Sequence, residues 1–200
     1  MHRIGTLLLT AMALAGCSSS EVLVAHTVPL TKTSQEIPEN ELLDVGINVF
    51  DPGVPEGEVD KDLQEHLIKE GTFVQIRRTE SMYMAVVLRN TLQRTRSWGS
   101  VWITPKETTA ADLSVAAKIL ASDGNDFRLH VKAEDATGRV WVDKDYGMET
   151  AAGAFNRTRY PELDPYQDVF NEVANDLATM RAKLSADQRR NIRTVAGLRY

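Results

Sequence analysis

The chain of 200 residues holds a single cysteine, Cys17. A disulfide within the chain is excluded, and so is a thiolate metal cluster, because both need more than one sulfur. Histidine is scarce, with only His2, His26, His66 and His130. No two of them stand at the close helical spacing of a zinc motif, and Glu65-His66 has no second histidine beside it. The acidic run Asp51, Glu56, Glu58, Asp60 and Asp62 lacks the glycine-centred framework of a calcium loop, so a solvated loop is expected there. No metal and no cofactor is expected. Nucleophile-elbow, phosphate-loop and dinucleotide fingerprints are all missing, which makes an enzyme the last of the readings weighed here. A basic cluster is missing too: 23 Lys+Arg stand against 28 Asp+Glu, a formal net charge of −5. That balance excludes the electrostatic footprint of a nucleic-acid binder. Beyond residue 17 no apolar run approaches the eighteen or so residues of a membrane span.

What is present begins at the first residues. Met1-His2-Arg3 gives a cationic start, and an apolar run from Ile4 through Leu7-Leu8-Leu9 and Met12-Ala13-Leu14 leads to Cys17. That is the layout of a secretion signal over residues 1–16, too short for a permanent span. Leu14-Ala15-Gly16-Cys17 resembles the lipobox of bacterial lipoproteins. The resemblance implies cleavage before Cys17 and acylation of its sulfur, leaving no free thiol. Ser18 stands where an aspartate would retain such a protein in the inner membrane, which implies the outer membrane, facing the periplasm. Removing residues 1–16 takes one arginine and no acid, leaving 22 Lys+Arg against 28 Asp+Glu. Two or more acyl chains hold a protein to a bilayer firmly, whereas one binds reversibly.

Residues 17–42 carry Ser18-Ser19-Ser20, Pro29 and Pro38 with little periodicity, and read as the lipidated cysteine and a flexible tether. An α+β domain is expected over residues 43–150. Val45, Ile47 and Val49 alternate with Asp44, Gly46 and Asn48 as in a half-buried strand running Leu43 to Phe50. Pro52 and Pro55 end it, and Val59 to Glu70 is a charged segment of some helical character. Met84, Val87, Leu88, Thr91 and Leu92 share one helical face within Arg78 to Arg96, with Thr79 the expected N-cap. Ser100 to Thr104 reads as a strand. Ala111 to Ser122 suits either strand or helix, and strand is chosen because the turn Ser122-Asp123-Gly124-Asn125 leads into the alternating Phe127, Leu129, Val131 and Ala133. Asp135-Ala136-Thr137-Gly138 turns into a third strand, Arg139 to Tyr146, completing a meander. Residues 151–200 are a loop followed by helices: Tyr166, Val169, Phe170, Val173, Leu177, Met180 and Leu184 form an amphipathic stripe. Ser185-Ala186-Asp187-Gln188 reads as a capping box. The sequence stops within that last helical pattern, as a piece of a longer protein would. The fold expected is an α+β two-layer sandwich, mainly antiparallel sheet with helices on one face, followed by C-terminal helices.

Trp98, Trp102 and Trp141 lie in or beside the expected strands. Strict alternation puts Trp141 on one face with Arg139 and Asp143; the alternative is that the tryptophans fill the core. On the first reading Trp102, Trp141 and Arg139 are the candidate partner-binding residues. Leu43 to Phe50, the Tyr83-x-x-x-x-Leu88 helix, Trp98 to Pro105 and Thr137-Gly138-Arg139-Val140 are similar to the periplasmic domains of outer-membrane lipoproteins that accompany lipid-transport ABC systems, and to the N-terminal domain of TolB. Val59 to Ile76 and the long C-terminal helices depart from that pattern. The resemblance implies a non-enzymatic accessory or assembly component of a transport or secretion system, bound to the bilayer through Cys17 and to another envelope protein. A carrier of lipid or peptidoglycan-derived ligand, held between sheet and helices, is the rival reading.

Overall fold

The computed structural model describes residues 28–105, 110–124, 126–149, 164 and 166–199. The signal at residues 1–16, Cys17, His26 and most of the loop after residue 150 lie outside the described residues. Five strands form one sheet: β1 (Val45–Asn48), β2 (Val101–Thr104), β3 (Leu113–Ser122), β4 (Asp126–Asp135) and β5 (Val140–Glu149), in the order β2-β1-β3-β4-β5. The meander β3-β4-β5 is antiparallel and supplies most of the pairing, while β1 runs parallel to both of its neighbours. The alternation read in the sequence decides which face is buried. Leu113, Val115, Ala117 and Ile119 of β3 and Phe127, Leu129, Val131 and Ala133 of β4 all point inward.

Helices cover that inner face. α2 (Val74–Thr95) buries Met84, Ala85, Leu88 and Leu92, and α3 (Gln167–Ala182) buries Val169, Phe170, Val173 and Leu177, each at the threes and fours of a helical stripe. Phe127 of β4 stacks on Tyr166 with ring centroids 4.0 Å apart and tilts against Phe170 at 5.9 Å. One apolar core runs from Leu43 to Ala196, and the architecture is α+β, with helices packed on one face of the sheet. α4 (Ala186–Gly197) opens on the expected capping box, Ser185 and Gln188 satisfying each other's backbone N–H.

One helix start differs from expectation. α2 begins four residues before Arg78, so Thr79 is not its N-cap; the Thr79 hydroxyl donates to the Gln75 carbonyl inside the helix. Phe73 precedes the first turn with no side-chain cap. Burial of Val74 and Arg77 supplies the stabilisation that a cap would otherwise give. Earlier in the chain, α1 (Lys61–Lys69) is a regular helix, capped by Asp60 accepting from the Leu63 N–H. It ends in a Schellman turn: Gly71 takes a left-handed φ of 75°, and Thr72 N–H reaches the Leu67 carbonyl.

The second half of the expected tether is not free. Residues 28–42 lie along the helices: Asn171 Nδ2 donates to the Val28 carbonyl (2.8 Å), and Asn175 both donates to Pro29 and accepts from Thr31. Thr33 N–H reaches the Thr95 carbonyl, Leu30 packs against the core, and Arg181 donates to the Glu41 carbonyl. The sequence read as linker because proline and threonine break periodicity, yet an extended strap needs none when helix side chains satisfy its backbone. Asn171→Ala with Asn175→Ala removes hydrogen bonds of about 1 kcal/mol each. Hydrogen exchange should then show the Thr31 amide losing protection by about fivefold or more, with the β3-β4 amides unchanged. Equal protection in wild type and variant would refute the docking.

Candidate functional site

The structure separates the three residues expected to form a partner surface. β2 and β5 are opposite edges of the sheet, so Trp102 and Trp141 are at opposite sides of it. Trp102 sits across from Gly46 on the outer face and is half-buried. Trp141 is only 6% exposed, which corrects the expectation that it shares an outward face with Arg139 and Asp143. A β-bulge is the cause. Pairing passes from Ala133 with Val142 to Glu134 with Val140, leaving Trp141 as the extra residue and turning its ring inward. There it meets Trp98 at 6.2 Å, so two of the three tryptophans belong to the core.

Asp135 holds that bulge in place. Its Oδ2 accepts the Trp141 indole N–H (2.8 Å), and its Oδ1 accepts the Thr137 N–H, the Thr137 hydroxyl and the Arg139 N–H. The residue is almost wholly buried, and its carboxylate reinforces a turn that the Asp135 N–H to Arg139 carbonyl and Gly138 N–H to Asp135 carbonyl hydrogen bonds also close. The segment Asp135-x-Thr-Gly signalled a turn; nothing in the sequence signalled that its aspartate reaches a tryptophan six residues on. Arg139 stands at the end of this turn, exposed, beside a hollow that it shares with Thr137 and with Asp187 and Gln188 at the start of α4.

The titratable clusters form structural pairs. On the outer face, His130 lies between two carboxylates of β5, Nε2 at 3.1 Å from Asp143 and Nδ1 at 2.7 Å from Asp145. Asp145 is its directly opposed cross-strand partner and Asp143 the diagonal one. Lys132 with Glu134 and Arg128 with Asp126 continue an exposed charge ladder. Lys144 points the other way. Its ammonium lies 2.9 Å from Asp176 of α3 and over the Tyr146 ring, while the Tyr146 hydroxyl donates to the same Asp176 (2.8 Å). Hydrogen bonding to Asp176 raises the Lys144 pKa, and burial raises that of Tyr146. Both groups are held protonated, the reverse of what a lysine or tyrosine base requires. His66 makes an exposed contact with Glu70, and among the described residues no three acidic or histidine groups converge on a possible metal position.

The region that the sequence left unassigned carries the most unusual surface. The Arg78 guanidinium donates to the Pro55 and Gly57 carbonyls, folding the loop ahead of α1 back towards α2. Gly53 anchors that loop, since a Cβ there would collide with the Ile119 carbonyl, and Asp51 pairs with β3 through two backbone hydrogen bonds. The result is an open groove of about 460 Å³ between loop, α1 and the first turn of α2. Its walls include Val59, Ile68, Phe73, Val74 and Ile76. Phe73 is 50% exposed, Ile76 56% and Ile68 41%, and no residue of α1 is buried. Met82 and Tyr83 extend the exposed apolar surface along α2. Phe73 and Ile76 fall between the charged segment Val59 to Glu70 and the helix expected from Arg78, and only their local apolar density could have marked them.

No known protein family matches this sequence, and a search of curated proteins finds no match. At the base of the sheet, Asp112 Oδ2 accepts the Asp44 N–H (2.8 Å) close to the Asp44 carboxylate. Burial, reinforced by that neighbour, raises the Asp112 pKa, and burial likewise raises that of Glu80. The folded chain therefore binds these protons before the unfolded chain does. Their contribution is complete below the ordinary carboxylate pKa and is lost as pH rises through the raised values. Asp112→Asn keeps the acceptor and removes the charge. In urea denaturation, wild type should gain stability relative to this variant between about pH 7 and about pH 4.5. A constant difference across that range would acquit Asp112.

Proposed function

We propose that the protein is a lipid-anchored envelope lipoprotein of the outer membrane, facing the periplasm, whose folded domain is a non-enzymatic binding module. The observation that carries this is Leu14-Ala15-Gly16-Cys17 at the end of a cationic and then apolar N-terminal stretch. Asn171 holds the Val28 carbonyl, eleven residues beyond Cys17. Acyl chains on Cys17 hold the module at the bilayer, and no helix among the described residues is long and apolar enough to cross it. Two observations support binding over catalysis. The hydrogen bond to Asp176 raises the Lys144 pKa and burial raises that of Tyr146, which favours the protonated form of each, and the groove between α1 and α2 presents exposed apolar walls. The sheet-helix interface, where a carried ligand would sit, is filled by Phe50, Phe127, Phe170 and the leucines around them. The module thus serves as an accessory or assembly component of a larger transport or secretion machine.

Density fractionation of envelopes tests the anchor. Wild type is expected in the outer-membrane fraction and to incorporate labelled palmitate. Cys17→Ser should abolish the label and move the chain out of that fraction. Unchanged location and label in the variant would remove the basis of the proposal.

A further inference from the structure

We infer that the groove between α1 and α2 is the docking site for an amphipathic helix of a partner protein, apolar on one face and flanked by lysine or arginine. This rests on the reading of the domain as a binding module and names the chemistry of what it binds. The exposed apolar side chains are arranged as a line. Phe73 and Ile76 stand one turn apart on the groove wall, and Tyr83, hydrogen-bonded to Asp164, lies two turns further along the same side of α2 beyond Thr79 and Glu80, about 15 Å from Phe73 at the usual helical rise. A compact ligand would leave much of that line in water, whereas a helix laid along it meets the line with residues at threes and fours.

Charge selects among the helices and surfaces that could cover it. Gly57, Glu58, Val59, Gln64 and Ile68 line one side of the groove, and the segment 56–70 that carries them holds six acids (Glu56, Glu58, Asp60, Asp62, Glu65 and Glu70) against Lys61 and Lys69. This net charge of −4 is most of the whole chain's −5. Arg78, the cation nearest the groove floor, is engaged by the Pro55 and Gly57 carbonyls. Such a rim repels an anionic lipid surface, and it repels its own copy in a symmetric dimer. A basic-flanked apolar helix gains both the burial and the opposite charge.

Site-specific photocrosslinking in producing cells tests this with the full chain. A benzophenone side chain replaces Gln75, an exposed residue on the groove wall, and a control carries it at Leu120, exposed on the outer face of the sheet. The expected product is a crosslink from position 75, and not from position 120, to one protein. Its crosslinked peptide should have apolar residues at helical period with lysine or arginine on the flanks. Phe73→Asp with Ile76→Asp should lower the yield at least about tenfold. Glu58→Lys with Asp62→Lys should lower it about fivefold, more at low salt than at high salt. All these positions are exposed or half-exposed, so the thermal melt of each variant should match wild type. Crosslinks to lipid, to a second copy, to another segment of this chain or to a peptide without basic flanks would overturn the inference, as would no crosslink. Failure of the anchor is read separately, from the fractionation of the same cells.

Discussion

Everything in this fold depends on covering the inner face of the β3-β4 hairpin. Eight of its side chains, from Leu113 to Ile119 and from Phe127 to Ala133, are buried. With no second cysteine to crosslink the chain and no metal ligand set among the described residues, apolar burial is the main source of stability. A fully buried leucine or phenylalanine contributes roughly 1.5–3 kcal/mol, so this face alone outweighs any ion pair on the surface. α2 and α3 are the cover. Their position then dictates the rest: α3 brings Asp176 over Tyr146, its Asn171 and Asn175 catch the strap from Val28, and α2 brings Thr95 to Thr33.

The opposite face shows what happens without that demand. His130, Asp143, Asp145, Lys132 and Glu134 form a ladder of alternating sign that stays in water, and each pair there is worth little to stability. Lys144 escapes the ladder because β5 alternates: its neighbours Asp143 and Asp145 face out, so its own side chain must face α3, where Glu172 and Asp176 receive it. A lysine among buried residues would be costly, but at the sheet edge its ammonium lies over the Tyr146 ring and reaches two carboxylates.

Period-2 and period-3.6 patterns carried most of this into the sequence. The meander, the choice of strand for Ala111 to Ser122, the α3 stripe and the Ser185 capping box are all local consequences of alternation, turn chemistry and capping, and all are where they were expected. Three features were not local. Trp141 turns inward because one extra residue is accommodated opposite Ala133 and Glu134, and a bulge leaves no mark on composition. Residues 28–42 are held by partners far along the chain, in α2 and α3, so a segment with no periodicity of its own read as tether. The start of α2 moved to Val74 because tertiary burial of Val74 and Arg77 overrode the cap that Thr79 offered. The groove went unseen for the same reason: its walls come from a loop, α1 and α2, and only the fold brings Val59 beside Ile76.

The strap also changes what an anchor at Cys17 would do. A tether running freely to residue 42 has 25 residues and could extend to about 83 Å. With the chain caught at Val28, Cys17 is eleven residues away, which allows a separation of at most about 36 Å. The domain is then confined within about its own diameter of the bilayer. Confinement of this kind raises the effective concentration of any partner segment in the same membrane, so that even a modest intrinsic affinity suffices for occupancy. For an open groove with exposed apolar walls, a partner held in the same membrane would reach occupancy at lower affinity than a freely diffusing one.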